Sequence, residues 1–257
     1  MLDRKMMWKP LGDAFLNLLY PQEGKCLFCL HKDASAEQTG ICRECAAGIM
    51  ELCDLMQNCL YCGYFTDGEE CPNCRCLRGT PLEVGTVVPY EGRYREIIHN
   101  LKYNGRKELA RPLGYLMAQR VKRLGWARNV GAVVPVPLFT TREKERGFNQ
   151  SLLLAKAVAE DLGKPLWNNL LSREHFHHPQ MVLSREERLK NIIGAFKYAS
   201  TRKLAGETIL LVDDIITTGA TLRGCADVLR QAGVQRVYGL TWAAGYNVSL
   251  MERLLRS

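Results

Sequence analysis

The stretch Thr208-Ile-Leu-Leu-Val-Asp213-Asp214-Ile-Ile-Thr217-Thr218-Gly219-Ala220-Thr221 decides the fold of this chain. The apolar run from Ile209 to Val212 leads straight into two carboxylates. A strand covered on both faces reads as such an unbroken apolar run, and it belongs to a parallel sheet. Open α/β folds bind their ligands at the carboxyl edge of that sheet. A turn of small hydroxyl residues then surrounds Gly219, and a helix is expected from about Thr221. The free N–H groups and positive dipole end of a helix start form an anion site. Thr217, Thr218 and Thr221 add hydroxyl donors, and Gly219 lets the backbone approach a phosphate closely. Asp213 and Asp214 stand where they would accept hydrogen bonds from a ribose diol, directly or through Mg²⁺.

Outward from this stretch, short β-branched runs alternate with helical periodicity, which implies βαβ units. Strands are expected over residues 84–90, 132–137, 208–212 and 235–240. Helices are expected over 94–102, 107–124, 150–162 and 221–232. The fold class is therefore α/β, a parallel sheet flanked by helices, over residues 81–257. Residues 1–80 are different in kind, because they hold ten of the eleven cysteines and no long periodic helix between the Cys pairs.

Eight of those cysteines form four Cys-x-x-Cys pairs: Cys26 with Cys29, Cys42 with Cys45, Cys59 with Cys62, and Cys71 with Cys74. Tetrahedral zinc takes four thiolates, and each such turn presents two. A segment this poor in apolar periodicity cannot build a core unaided, so metal would supply folding free energy. Two structural zincs, one for each consecutive set, are expected. The spacing also admits an interleaved pairing, and a redox dithiol is the weaker reading. Cys53 and Cys76 are spare thiols, and Cys225 reads as a small core residue.

The chain has no apolar run of the roughly 18–20 residues that a membrane span needs. Residues 1–20 alternate apolar and polar positions without a signal-peptide core, so an amphipathic helix docked on its own protein is expected. A cytoplasmic protein with no membrane insertion follows. Charge is uneven: residues 1–80 carry 8 Lys+Arg against 11 Asp+Glu, and the remainder carries 27 against 16. The half read as phosphate-binding is thus the cationic half, which suits anionic ligands.

The Asp213–Thr221 stretch resembles the binding signature of type I phosphoribosyltransferases for phosphoribosyl pyrophosphate (PRPP) at every position of the pattern. Further matches are Val134-Pro-Val-Pro137, Arg142-Glu-Lys-Glu-Arg146-Gly-Phe-Asn-Gln150, Pro179-Gln180, and Ser184-Arg-Glu-Glu-Arg188 through Asn191 to Phe196. With Ile97-Ile-His-Asn-Leu-Lys102-Tyr103 and the cysteine head, they resemble the ComF/GntX family over almost the whole chain. That family joins a zinc-ribbon head to a phosphoribosyltransferase-like domain and is associated with competence and DNA uptake or utilisation.

The resemblance implies that Asp213 and Asp214 are the catalytic pair at the ribose, and that Thr217, Thr218, Gly219, Ala220 and Thr221 cradle the 5-phosphate. Arg146 and Lys144 are expected on pyrophosphate, whose charge calls for several cations and which guanidinium fits with two bonds. Arg142 is a further candidate, and the resemblance turns Lys102 toward the site. The segment around His175, His177 and His178 would form a hood over the acceptor. It departs from the family pattern, where a small hydroxyl residue usually stands near His177 or His178.

The leading expectation is a phosphoribosyltransferase that uses PRPP with Mg²⁺ and an acceptor the sequence does not name. The alternatives are a non-catalytic nucleotide sensor or adaptor, and a single-stranded DNA handling factor that works with competence proteins.

Overall fold

The computed structural model describes residues 24–56, 58–59, 62–66, 71, 82–173 and 195–246. The chain divides into two compact units, one ending at Ala47 and the other starting at Gly48. The expected N-terminal helix, the hood residues 175–180, Ser184, Arg188, Asn191, Cys74 and Cys76 lie outside the described residues.

In the first unit the backbone turns back between Lys25 and Lys32, which form an antiparallel bridge. The turn between them carries Cys26 and Cys29. It is closed by the Leu30 N–H donating to the Cys26 carbonyl at 2.8 Å and the Cys26 N–H donating to the His31 carbonyl at 2.9 Å. A single helical turn, α1 (Ala36–Thr39), stops on Gly40, whose φ of 76° is left-handed and suits glycine. Helix α2 (Arg43–Leu55) follows, with Cys42 just before it and Cys45 in its first turn. It continues past Ala47 into the second unit.

The second unit is built on four parallel strands. They are β1 (Glu83–Pro89), β2 (Ala132–Pro135), β5 (Thr208–Ile216) and β6 (Arg236–Ala244), in the order β1-β6-β5-β2. Between β1 and β2 run α3 (Gly92–Tyr103), a 3₁₀ turn over Lys107–Leu109, and α4 (Ala110–Arg123). Pro112 falls in the first turn of α4, where a backbone N–H has no intrahelical partner to lose.

After β2 come the short helix α5 (Thr140–Arg146) and α6 (Gln150–Leu162). A two-stranded antiparallel ladder follows, β3 (Leu171–Arg173) on β4 (Phe196–Tyr198), with Arg173 opposite Phe196. Helix α7 (Ala220–Gln231) joins β5 to β6.

Every expected strand and helix of the α/β half is present. The sheet core is apolar on both faces, with Val84, Leu211 and Val237 buried on one and Leu210, Val212 and Leu240 on the other. Helices α4 and α6 meet closely at Gly114, where a Cβ would come within 2.3 Å of the Ala157 Cβ.

Two differences from the sequence expectation bear on the site. Strand β5 does not stop at Val212 but carries Asp213 and Asp214 inside the ladder, because β6 is long enough to pair it as far as Ile216 with Ala244. The segment after β2, where no helix was expected before residue 150, holds α5, which ends on Gly147 at φ 75°.

Candidate functional site

Strands β1, β2 and β5 end on one edge, and the segments leaving them carry Lys102, Arg142, Arg146 and the 217–221 loop. From β5 the chain enters residues 217–221. Gly219, at φ 77° and ψ 0°, caps α7 from the left-handed region, which fits the glycine the loop carries. The Ala220 N–H points to the Thr218 hydroxyl at 3.4 Å, and the Arg223 N–H closes the first turn on the Gly219 carbonyl at 3.0 Å. Thr217 is exposed, while Thr218 and Thr221 are half-buried. The N-terminal N–H groups of a helix of three turns therefore open onto the sheet edge, an arrangement that accepts a phosphate.

Asp213 and Asp214 precede this loop and sit in different surroundings. Asp213 is buried, and its Oδ1 accepts from the Ser151 hydroxyl at 2.8 Å and from the Asp214 N–H at 2.9 Å. Burial, with Asp214 next to it, pushes its carboxyl up to about 7. Asp214 Oδ1 accepts from the Ile215 N–H at 2.7 Å. Its Oδ2 lies 2.6 Å from Lys102 Nζ, an ion pair shielded from water on both sides. Lys102 arrives from the last turn of α3, so the lysine expected at the site meets the carboxylate expected there. The donor set at this strand end consists of oxygens, the ligand type that Mg²⁺ takes.

Helix α5 and the turn after it bring the cations. Arg146 Nη1 donates to Gln150 Oε1 at 2.8 Å and Nη2 to the Tyr103 hydroxyl at 3.0 Å, with its guanidinium 4.7 Å from the Tyr103 ring centre. A cavity of about 490 Å³ is lined by Lys102, Tyr103, Arg142, Arg146 and Phe148, with Gly105 and Glu145. Arg142 and Arg146 thus face one space with Lys102. Lys144 is exposed on α5 and is not among the lining residues. Asn149 caps α6: its Oδ1 accepts from the Ser151 N–H at 2.9 Å and its Nδ2 donates to the Val136 carbonyl at 3.1 Å.

Two residues here were not singled out from sequence. Ser151 holds Asp213, and its only sequence signal was a small hydroxyl residue in the first turn of a helix. Arg173, at the end of β3, lies between the rings of Phe139 (3.9 Å) and Phe196 (4.9 Å). Burial pulls its guanidinium below the usual value, while Cys225 and Asp213 work in the opposite direction. Arg173 is brought there by the β3–β4 ladder, and its surrounding sequence gave no periodic pattern to place it.

The cysteines group consecutively. In the first unit the sulfurs of Cys26, Cys29, Cys42 and Cys45 all lie within 4.8 Å of one another, with Cys29 and Cys42 at 3.8 Å. In the second unit Cys59, Cys62 and Cys71 do the same, with Cys62 and Cys71 at 3.5 Å. Four sulfurs at about 2.3 Å from a tetrahedral zinc stand about 3.8 Å apart, so both groups fit a thiolate-held metal. Gly63, at φ 72°, turns the second knuckle, and its N–H donates to the Cys59 carbonyl at 2.7 Å. Cys225 is fully buried in the core, as expected, and Cys53 is buried against the Thr86 carbonyl. Among the described residues, no helix is long and apolar enough to cross a membrane.

Comparison with known proteins agrees with this layout. Residues 149–243 match the family described as phosphoribosyl transferase domain. The chain is 31% identical over 234 residues to competence protein F of Haemophilus influenzae, covering 85% of this chain and 97% of that one. It is 31% identical over 221 residues to the DNA utilization protein YhgH of Salmonella typhi, covering 83% and 94%. Competence protein ComFC of Bacillus subtilis matches at 29% over 154 residues, covering 58% of each chain.

Proposed function

Because this chain belongs to the ComF family of competence and DNA-utilisation proteins, we propose that it binds PRPP with Mg²⁺ and transfers the phosphoribosyl group to a nucleophilic acceptor. The observation that carries this reading is the convergence of Asp213, Asp214, Lys102 and the 217–221 loop on one sheet edge, beside the cavity that Arg142 and Arg146 line.

In this reading the N–H groups opening α7 and the hydroxyls of Thr217, Thr218 and Thr221 hold the 5-phosphate. Asp213 and Asp214 accept from the ribose hydroxyls, and Lys102 holds the Asp214 carboxylate in place through their 2.6 Å contact. Arg146 and Arg142 receive the pyrophosphate, with Lys144 approaching from the exposed face of α5. Bound Mg²⁺ would offset the charge of the pyrophosphate and the carboxylates. The bond from C1 to the pyrophosphate oxygen breaks with its electron pair staying on pyrophosphate, the acceptor forms a new bond to C1, and the acceptor's proton passes to the departing pyrophosphate or to water. Charge develops on the sugar ring and on the departing oxygens, so fixed dipoles and cations aimed at them lower the barrier. Zinc at the two cysteine groups would be structural, since a site closed by four sulfurs leaves no open position for substrate.

Titration calorimetry with PRPP and Mg²⁺ tests the binding, and pyrophosphate release over a panel of nucleobases and amines tests the transfer. Wild-type affinity in Asp213→Asn/Asp214→Asn would overturn the assigned site. Binding without release over the whole panel would favour a nucleotide sensor or adaptor.

A second reading is single-stranded DNA handling. It is supported by the names of the relatives and by a basic, aromatic edge: Tyr103 is 59% exposed, packs on His99 at 4.7 Å between ring centres, and carries Arg146 on its face. Such platforms stack bases, and their phosphate contacts weaken steeply with salt. A gel shift of a labelled oligonucleotide at rising salt checks it, and no shift at low salt would refute it.

A further inference from the structure

The second cysteine group does not stand apart from the phosphate loop. A Cβ at Gly219 would lie 4.0 Å from the Cβ of Cys62. Gly63, the next residue, is so close to the sheet that a Cβ there would meet Thr86 Oγ1 at 2.7 Å, Val84 Cγ1 at 2.9 Å and Ile216 Cγ2 at 3.4 Å. Ile216 immediately precedes Thr217.

Three hydrogen bonds extend this contact. The Phe65 N–H donates to the Gly245 carbonyl at 3.1 Å, the Gly245 N–H donates to the Ile216 carbonyl at 3.4 Å, and the Tyr64 hydroxyl donates to the Tyr246 carbonyl at 2.7 Å. Phe65 also pairs with Tyr246 in a parallel bridge and is fully buried. The knuckle of Cys59 and Cys62 is thus laced through the end of β6 to the residue on which the phosphate loop begins. Hydrogen bonds also close the knuckle itself. The Cys62 and Gly63 N–H groups share the Cys59 carbonyl, and the Cys59 N–H donates to the Tyr64 carbonyl. A metal on the sulfurs would add to these bonds.

We propose that Cys62 and its partners in the second group are positioning residues for the phosphate loop, so that metal at this group and a 5-phosphoribosyl ligand at the loop bind cooperatively. The proposal rests on the PRPP-binding reading above. Coupling between two sites is reciprocal: if metal tightens ligand, ligand tightens metal by the same factor. The first group, in the other unit, serves as the internal control.

The experiment uses the zinc-loaded full chain. Zinc release to a chromophoric chelator is followed with and without saturating PRPP in excess Mg²⁺. Two pools of zinc are expected, and PRPP should slow one of them by about tenfold, within the usual range of such couplings, while leaving the other unchanged. In parallel, Cys62→Ser should weaken PRPP binding by a similar factor, and Cys29→Ser should leave it unchanged. If Cys62→Ser fails to fold, the release kinetics of the wild-type chain still decide. If the loaded wild type does not bind PRPP, the binding reading falls. If it binds PRPP and both zinc pools are released at unaltered rates, the coupling falls and the binding reading stands.

Discussion

At the scale of single residues, the carboxylate pair sets the terms. Asp213 is held near 7 by burial and by the charge of Asp214, with the Ser151 hydroxyl and the Asp214 N–H partly offsetting the shift. Its value in the folded chain is therefore raised above the unfolded one. Its contribution to stability is fully present below about pH 4, where both states are protonated. That contribution is lost as pH rises through about 7. Asp213→Asn should flatten the fall in stability between those limits, as read by denaturant unfolding at a series of pH values. Ribose hydroxyls prefer an ionised acceptor, so PRPP affinity of the wild type should rise over the same interval. Lys102→Ala makes a different demand, because it leaves the buried Asp214 carboxylate without its cation. A loss of about 3 kcal/mol is expected, and Lys102→Ala/Asp214→Asn should recover most of it in a double-mutant cycle.

At the scale of elements, two glycines separate conformational strain from steric strain. Gly219 takes a left-handed φ, but a Cβ there would meet nothing nearer than Ile216 Cδ1 at 3.6 Å. Gly219→Ala should thus cost only about 1–2 kcal/mol of backbone strain. Its larger effect should fall on PRPP affinity, measured by calorimetry, because the N–H groups that open α7 move. Gly114 is helical and unstrained, yet a Cβ would collide with Ala157 across the α4–α6 contact. Gly114→Val should lower stability by about 3 kcal/mol or more through overpacking, with ligand affinity in the folded fraction kept.

The long periodic elements were legible because apolar spacing reports burial directly, and the loop at 217–221 was legible because small residues and acids in that order have few other uses. The reach of β5 past Val212 was hidden, since ladder length is set by the partner strand and not by the strand's own residues. The three-residue strands β3 and β4 are too short to show alternation. Arg173 gained its place only through their pairing, and Ser151 only through the Asn149 cap that fixes the start of α6.

At the scale of the whole molecule, the cysteine groups and the sheet carry separate obligations. Metal analysis of the purified chain should return two zincs, and strong chelation should lower the melting temperature, since binding free energy at such sites is folding free energy. The division at Ala47 and Gly48 leaves the second cysteine group in the unit that holds the sheet. Chelation should therefore reach the sheet-bearing unit as well as the cysteine head.

The strand order β1-β6-β5-β2 has a consequence for how the chain is made. Among the described strands β1 is laddered to β6 and β2 to β5, with a further bridge from β2 to Leu166, so the two strands synthesised first are not neighbours in the finished sheet. A ribosome that has delivered residues 1–200 has made β1 and β2 but neither β6 nor β5, the strands they are laddered to. Until the last quarter of the chain emerges, those edges are open to pairing with other molecules. A chain truncated before Thr208 should accumulate as aggregate on expression, whereas the full chain remains in the supernatant after centrifugation. Lys102 waits on the same event, because Asp214 reaches it only when β5 slides between β6 and β2.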